Sequence, residues 1–173
     1  MPNWCTNEVT FSGPTDVVRA FMKQAGHPQY GTEFKFNNIM PMPEELKDIF
    51  SGGVCIEGVL HEHWREPSDD IRRIPLTKEE IGDLRSRYGA VDIYDWCCQN
   101  WGTKWDAHYP EYYSHTLDHE PNVYDDVFMS FETAWSPPEE LYNHILKHWP
   151  KLGVDWFYKE PGMRFAGWLG AHD

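Results

Sequence analysis

From Trp4 to Ser12 the polar residues Thr6, Glu8 and Thr10 alternate with positions that include apolar Val9 and Phe11, the period of a half-buried strand. Gly13-Pro14 closes that run, and Pro14, Thr15 and Asp16 open a helix in which Val17, Val18, Phe21, Met22 and Ala25 recur at helical spacing before Gly26 stops it. A second short strand is expected over 33–39, with Phe34 and Phe36 inward and Lys35 and Asn37 outward, until Pro41 and Pro43 break the pattern. The last third repeats the theme. Residues 123–135 set Val127, Met129, Phe131 and Thr133 on one side and Ser130 and Glu132 on the other, so a long strand is predicted. Ser136-Pro137-Pro138-Glu139 has the form of a capping box, and Leu141, Ile145 and Trp149 mark the buried stripe of the helix it would start. Residues 154–159 and 163–169 then predict a hairpin around Glu160-Pro161-Gly162.

Strand, helix, strand, given twice, is the order of a split βαβ sandwich, an α+β fold with helices on one face of an antiparallel sheet. Between the halves, between strand 2 and strand 3, an insertion is expected over 51–122. It contains a helix from Thr77 to Tyr88, capped by Thr77 with Glu80, and a second over 91–99; residues 108–122 have almost no aliphatics and predict a loop or irregular lid. With 173 residues the chain suits one domain carrying this insertion, not two equal domains.

Charge sharpens the picture. Between Tyr88 and Leu146 there are eleven acidic residues and a single base, Lys104, within a chain whose net charge is -13. Trp96, Trp101, Trp105 and Trp135 share that third with Tyr94, Tyr109, Tyr112, Tyr113 and Tyr124, and aromatic rings set among carboxylates suit a protein-binding surface for a basic partner. Asp106, Glu111, Tyr112, Tyr113, Asp118, Glu120, Asp125 and Asp126 are the candidate contact residues. Equally, acids disperse a soluble domain while tryptophans fill its core. A sheet of this kind can bind single-stranded RNA through exposed aromatics, but 15 bases against 28 acids argue against phosphate contacts.

Other chemistry finds little footing. Cys5, Cys55, Cys97 and Cys98 form no Cys-x-x-Cys and are expected to be free thiols, and His61-Glu62-His63 would need a third ligand from elsewhere to hold a metal. The chain shows no nucleophile elbow, phosphate-cradling glycine loop or His-Glu-x-x-His helix, so neither a cofactor nor an enzyme is expected, although Cys5 could act as a nucleophile if a base were folded beside it. No apolar run is long enough for a membrane span and the start is not a signal peptide, so a cytoplasmic protein is expected.

Four runs have unusual composition: Pro2-Asn3-Trp4-Cys5-Thr6-Asn7, Pro41-Met42-Pro43-Glu44-Glu45-Leu46, Asn100-Trp101-Gly102-Thr103-Lys104-Trp105-Asp106 and Phe131-Glu132-Thr133-Ala134-Trp135-Ser136-Pro137-Pro138. With them the chain resembles the YubB-like family of plasmid and phage proteins across nearly its whole length. The resemblance implies a ferredoxin-like domain and a home on mobile elements in a bacterial host, and it supplies no catalytic residue. Trp4 starts the first strand and Trp135 ends the long one, so in an antiparallel sheet they can be neighbours. Asn3, Trp4, Trp101, Thr103, Lys104, Trp105 and Trp135 would then line an aromatic pocket, or else plug the core. The expectation is a non-enzymatic counter-defence inhibitor whose acidic surface occupies the basic groove of a host defence nuclease or CRISPR-type complex. The alternative is a nucleotide binder that uses the tryptophan-lined pocket.

Overall fold

A computed structural model of the chain describes residues 3–67, 72–113, 117 and 124–170. In order the elements are β1 (Trp4–Pro14), α1 (Thr15–Ala25), α2 (Phe36–Ile39), β2 (Ile49–Ile56), β3 (Val59–Arg65), β4 (Ile74–Pro75), α3 (Lys78–Tyr88), α4 (Ile93–Asn100), β5 (His108–Tyr112), β6 (Tyr124–Ala134), α5 (Glu139–His148), β7 (Gly153–Glu160) and β8 (Phe165–Trp168). They form two compact units, one of Met1–Pro41 with Trp101–Asp173, the other of Met42–Asn100. No described helix is long and apolar enough to cross a membrane.

The first unit is built on a five-stranded sheet in the order β5-β6-β1-β7-β8, antiparallel throughout. Without the terminal β8 this is the ferredoxin-like βαββαβ arrangement, β1-α1-β5 and β6-α5-β7 interleaved so that each parallel pair is split by a strand of the other. β1 sits in the middle and pairs with β6 from Trp4↔Ala134 to Pro14↔Tyr124. Its burial alternates without a break: Cys5, Asn7, Val9 and Phe11 point into the core while Thr6, Glu8, Thr10 and Ser12 point out. Phe21 of α1 meets Phe11 at 4.8 Å and Tyr142 of α5 meets Trp156 at 6.1 Å, so both helices cover the inner face.

One buried polar group is knitted through this core. Asn7 donates from Nδ2 to the Cys5 carbonyl at 3.0 Å and to Thr133 Oγ1 at 2.9 Å, and its Oδ1 accepts from Trp156 Nε1 at 3.0 Å. A fully satisfied amide links β1, β6 and β7 where an apolar residue would have specified nothing.

Three expectations about elements need correction. Residues 33–39 form no strand; Phe36–Ile39 is a short helix. The alternation of Phe34 and Phe36 is real in burial, since both are fully buried, packing on Phe131 at 5.3 and 5.5 Å. Their amides, however, have no ladder partner: Phe34 N–H donates to Tyr112 Oη, Lys35 N–H to the Ala25 carbonyl, and Phe36 and Asn37 N–H to the Asp106 carboxylate. The second strand of the sheet is instead β5, inside the stretch 108–122 expected as a loop or lid. The interrupting unit accordingly covers Met42–Asn100, not 51–122, and precedes that second strand. Finally, Ser136 does not cap α5. Its hydroxyl donates to the Gly102 carbonyl at 2.9 Å, and the Trp101 carbonyl accepts the Leu141 N–H of the first turn. Gly102 has φ +81°, and a Cβ there would lie 2.9 Å from Glu139 N, so only glycine lets this loop press on the helix end.

The second unit holds the three-stranded antiparallel sheet β2-β3-β4 with α3 and α4. Glu57 and Gly58, at φ 50° and 82°, make the two-residue turn between β2 and β3, the geometry that suits strand twist. The capping box foreseen at Thr77 and Glu80 is present, with Thr77 N–H to Glu80 Oε2 at 2.8 Å and Glu80 N–H to Thr77 Oγ1 at 3.2 Å. His63 Nε2 lies 3.3 Å from the buried carboxylate of Asp92, which also accepts the Asp95 N–H.

Asn7→Ala would leave Trp156 Nε1–H buried without an acceptor. The variant should lose about 1–3 kcal/mol in urea unfolding, at an unchanged slope with denaturant; a loss under about 0.5 kcal/mol would show that the amide network is incidental to the core.

Candidate interaction surface on the open face of the sheet

The strand registers place the outward side chains in rows. Phe128, Thr10 and Asp155 lie side by side across β6, β1 and β7; the next row is Ser130, Glu8, Phe157 and Trp168; the next is His108, Glu132, Thr6, Lys159 and Ala166. The helices α1 and α5 lie on the opposite face, so these rows meet no helix of their own unit. Trp168 is 56% exposed and stands 5.3 Å from Phe157, while Tyr113, also 56% exposed, lies 5.2 Å from Phe128. Outward carboxylates belong to Glu8, Glu111, Asp126, Glu132 and Asp155, and among the strand residues described Lys159 is the matching base. Aromatic rings surrounded by carboxylates make this face apolar in its middle and negative around it.

At the end of the sheet where β1 starts, the tryptophan motifs come apart into core and surface. Trp101 is 3% exposed, donates from Nε1 to the Met40 carbonyl at 3.0 Å and packs on Phe36; Thr103 is buried, its hydroxyl on the Ala134 carbonyl. Trp105 and Trp135 stay at the surface, 40% and 41% exposed, with Lys104 Nζ 4.5 and 5.0 Å from their rings. Such placement of an ammonium over indole faces is attractive in itself. Trp4 stacks on His108 at 4.9 Å and reaches Trp105 at 6.0 Å, and the Asn3 carbonyl accepts the Trp135 N–H. Trp135 has φ +69°, a left-handed conformation unusual for so large a residue, and this corner turns its ring outward against Lys104. Trp4 and Trp135 are thus neighbours, while of the seven residues Trp101 and Thr103 are buried and Trp105 and Trp135 are exposed.

The residues expected on a partner surface divide in the same manner. Glu111, Tyr113 and Asp126 are exposed, and Tyr113 Oη donates to Glu111 at 2.7 Å. Asp118 and Glu120 lie outside the described residues. Asp106, Tyr112 and Asp125 serve the interior instead. Burial pushes the Asp106 carboxyl above its ordinary range, opposed by the amides of Phe36, Ala107 and Asn37 that it binds. Tyr112 donates to the Gly26 carbonyl at 3.1 Å and packs edge-on against His27, and burial pushes its hydroxyl up to about 12. Asp125 is 1% exposed, and Arg19 Nε approaches its carboxylate to 3.9 Å. Cys5 is buried too, and burial pushes its thiol up to about 11, so it is protonated and a weak nucleophile at neutral pH.

Sequence reasoning missed Glu8, Phe128, Asp155, Phe157 and Trp168. Their signal was present in the alternation itself: Phe128, Phe157 and Trp168 are large apolar residues in slots of the pattern that face away from the core.

Comparison with known proteins bears on the fold. Residues 101–171 match the family model described as the ferredoxin-like domain in Api92-like protein. The crystal structure of a protein api92 from Yersinia pseudotuberculosis matches over 97% of this chain and 93% of that one, at a TM-score of 0.52 and 12% identity. No curated protein matches. At that identity the likeness extends to the ferredoxin-like architecture and no further.

The split of the tryptophans can be read from stability. Trp101→Ala should cost about 3–5 kcal/mol, as emptying a core site does, whereas Trp105→Ala should stay within about 1 kcal/mol of the parent protein, as surface changes do. Thermal unfolding of the two purified variants would decide the matter; equal losses would mean that Trp105 belongs to the core.

Proposed function

We propose that this chain is a non-enzymatic binding protein that docks on a basic protein surface through the open face of its five-stranded sheet. The observation that carries this reading is the composition of that face: five outward carboxylates against Lys159, set around exposed aromatic rings. Aromatic side chains supply most of the energy of protein interfaces, and a surrounding field of one sign speeds encounter and selects an oppositely charged partner. The same field repels a phosphate backbone, which weighs against direct binding of RNA or DNA.

The more specific form is counter-defence. In a protein encoded on a plasmid, phage or prophage, and acting in the bacterial cytoplasm, such a face would occupy the nucleic-acid groove of a host defence protein, a nuclease or CRISPR-type complex. Carboxylates would stand where phosphates otherwise bind. The motif resemblance to plasmid and phage proteins and the acidic balance of 28 acids to 15 bases support this form. Nucleotide binding in a tryptophan pocket has less support, because Trp101 and Thr103 are taken into the core and Lys104 already lies against the Trp105 and Trp135 indoles.

Replacing Glu111, Asp126 and Glu132 together by their amides keeps shape and hydrogen bonding while removing three charges. Against the partner recovered from host lysate, association should slow by about tenfold at low salt, with dissociation and melting temperature little changed. An affinity within about threefold of the parent protein at physiological salt, where exposed charges are largely screened beyond ~8 Å, would reduce the carboxylates to an aid to solubility.

A further inference from the structure

We infer that the hollow between β1, β6, β7 and β8 on this open face is a receptor for an arginine side chain of the protein partner. The inference rests on the docking reading above and names what that face selects. Glu8, Thr10, Phe128, Asp155, Phe157 and Trp168 line a hollow of about 450 Å³. Its walls are the rings of Phe128, Phe157 and Trp168, and its polar groups are two carboxylates and a hydroxyl.

The carboxylates are not equivalent. Lys159 Nζ lies 2.7 Å from Glu8 Oε1, so that charge is balanced inside the sheet. Asp155 stands across β1 from Phe128 with Thr10 between them, and among the described residues no cation pairs with it. An aromatic-walled hollow with one unbalanced carboxylate calls for a cation that is flat and poorly hydrated. Guanidinium meets both requirements: it stacks on aromatic faces and offers two parallel N–H donors to one carboxylate, whereas an ammonium is compact, strongly hydrated and satisfied equally well by water. An anion is excluded by the two acids, and a neutral apolar side chain would leave Asp155 partly desolvated without a partner.

The test uses two peptides of equal charge, acetyl-(Gly-Arg)4-amide and acetyl-(Gly-Lys)4-amide, titrated into the full-length ¹⁵N-labelled protein. The arginine peptide should bind at least about fivefold more tightly, shifting the amides of Thr10, Asp155 and Phe157 and the indole N–H of Trp168. Asp155→Asn and Trp168→Leu, both at exposed positions, should each remove that preference while leaving the lysine peptide within about twofold. Equal affinity for the two peptides, or a preference that survives in both variants, would overturn the inference. Failure of the hollow and failure of the docking face are told apart by the Glu111, Asp126 and Glu132 amide variant. If the peptides bind equally and that variant weakens both, the face remains a docking surface without an arginine site. If neither peptide shifts any open-face resonance, both readings fall.

Discussion

Every other feature of the larger unit depends on the register of β1 between β6 and β7. A slip of one residue against either neighbour would carry Val9 and Phe11 to the outside and Glu8 and Thr10 into the core. The hydrophobic period alone resists that slip, but a slip of two residues would preserve it, and here the Asn7 amide decides. Its three hydrogen bonds reach Trp156 on β7, Thr133 on β6 and its own strand, and a two-residue shift would break the cross-strand pair and leave buried polar groups unpaired. The same register fixes the open face. Asp155 lies in line with Thr10 and Phe128, and Phe157 in line with Glu8, because Val9 lies in line with Trp156 and Met129 on the other side.

Some of the acids serve the interior and others stand on the outer face of the sheet, and a count of residues cannot separate them. Asp106 caps the start of α2 by taking its first amides, Glu160 is 1% exposed and accepts the Gly162 and Met163 N–H groups in the β7–β8 turn, Asp92 accepts Asp95 N–H and meets His63, and Asp125 faces Arg19. Each does within the fold what a backbone carbonyl or a capping side chain would otherwise do. What remains on the outer face comes from β1, β5, β6 and β7 together. The negative field of that face is therefore assembled by the sheet from distant stretches of chain, which is why the acidic third of the sequence points toward a surface without locating it.

The parts of the fold legible in the sequence are those whose signal is local. The alternation of β1 and β6, the helical stripe of α1, the Thr77 capping box and the β7–β8 hairpin all stand in the structure where the pattern put them, within a residue or two. What failed depended on distant partners. Residues 33–39 alternate like a strand, yet Asp106 and Tyr112, some seventy residues further on, bind their amides and hold them in a turn and short helix. Ser136 has the composition of a cap, but Trp101 and Gly102 arrive at that helix end first. β5 was hidden because a strand of five residues with a bulge, rich in tyrosine and histidine, carries little alternation of its own and is ordered by the long β6 beside it. The tryptophan motif was legible as important and illegible as to role, since spacing alone does not tell Trp101, inside, from Trp105, outside.

The proposed docking reading falls on the face and not on an edge because of how the sheet ends. Its outer strands are β5, of five residues with an irregular register, and β8, of four. Short or bulged edges offer an incoming strand few consecutive backbone groups, so growth of the sheet by strand addition is poorly supported on either side. The open face has the reverse properties. It is centred on the two longest strands, β1 and β6, eleven residues each, whose inner sides are locked into the core, so the outer side chains of these strands stand on a backbone that cannot readily adjust. Rigid placement lowers the ordering cost of binding and holds Phe128 of β6 and Phe157 of β7, each paired to β1, in fixed relative positions. Under that proposal a partner would have to match the spacing of rings and carboxylates as it stands, so the face would select the geometry of the partner's cationic groups as well as their charge.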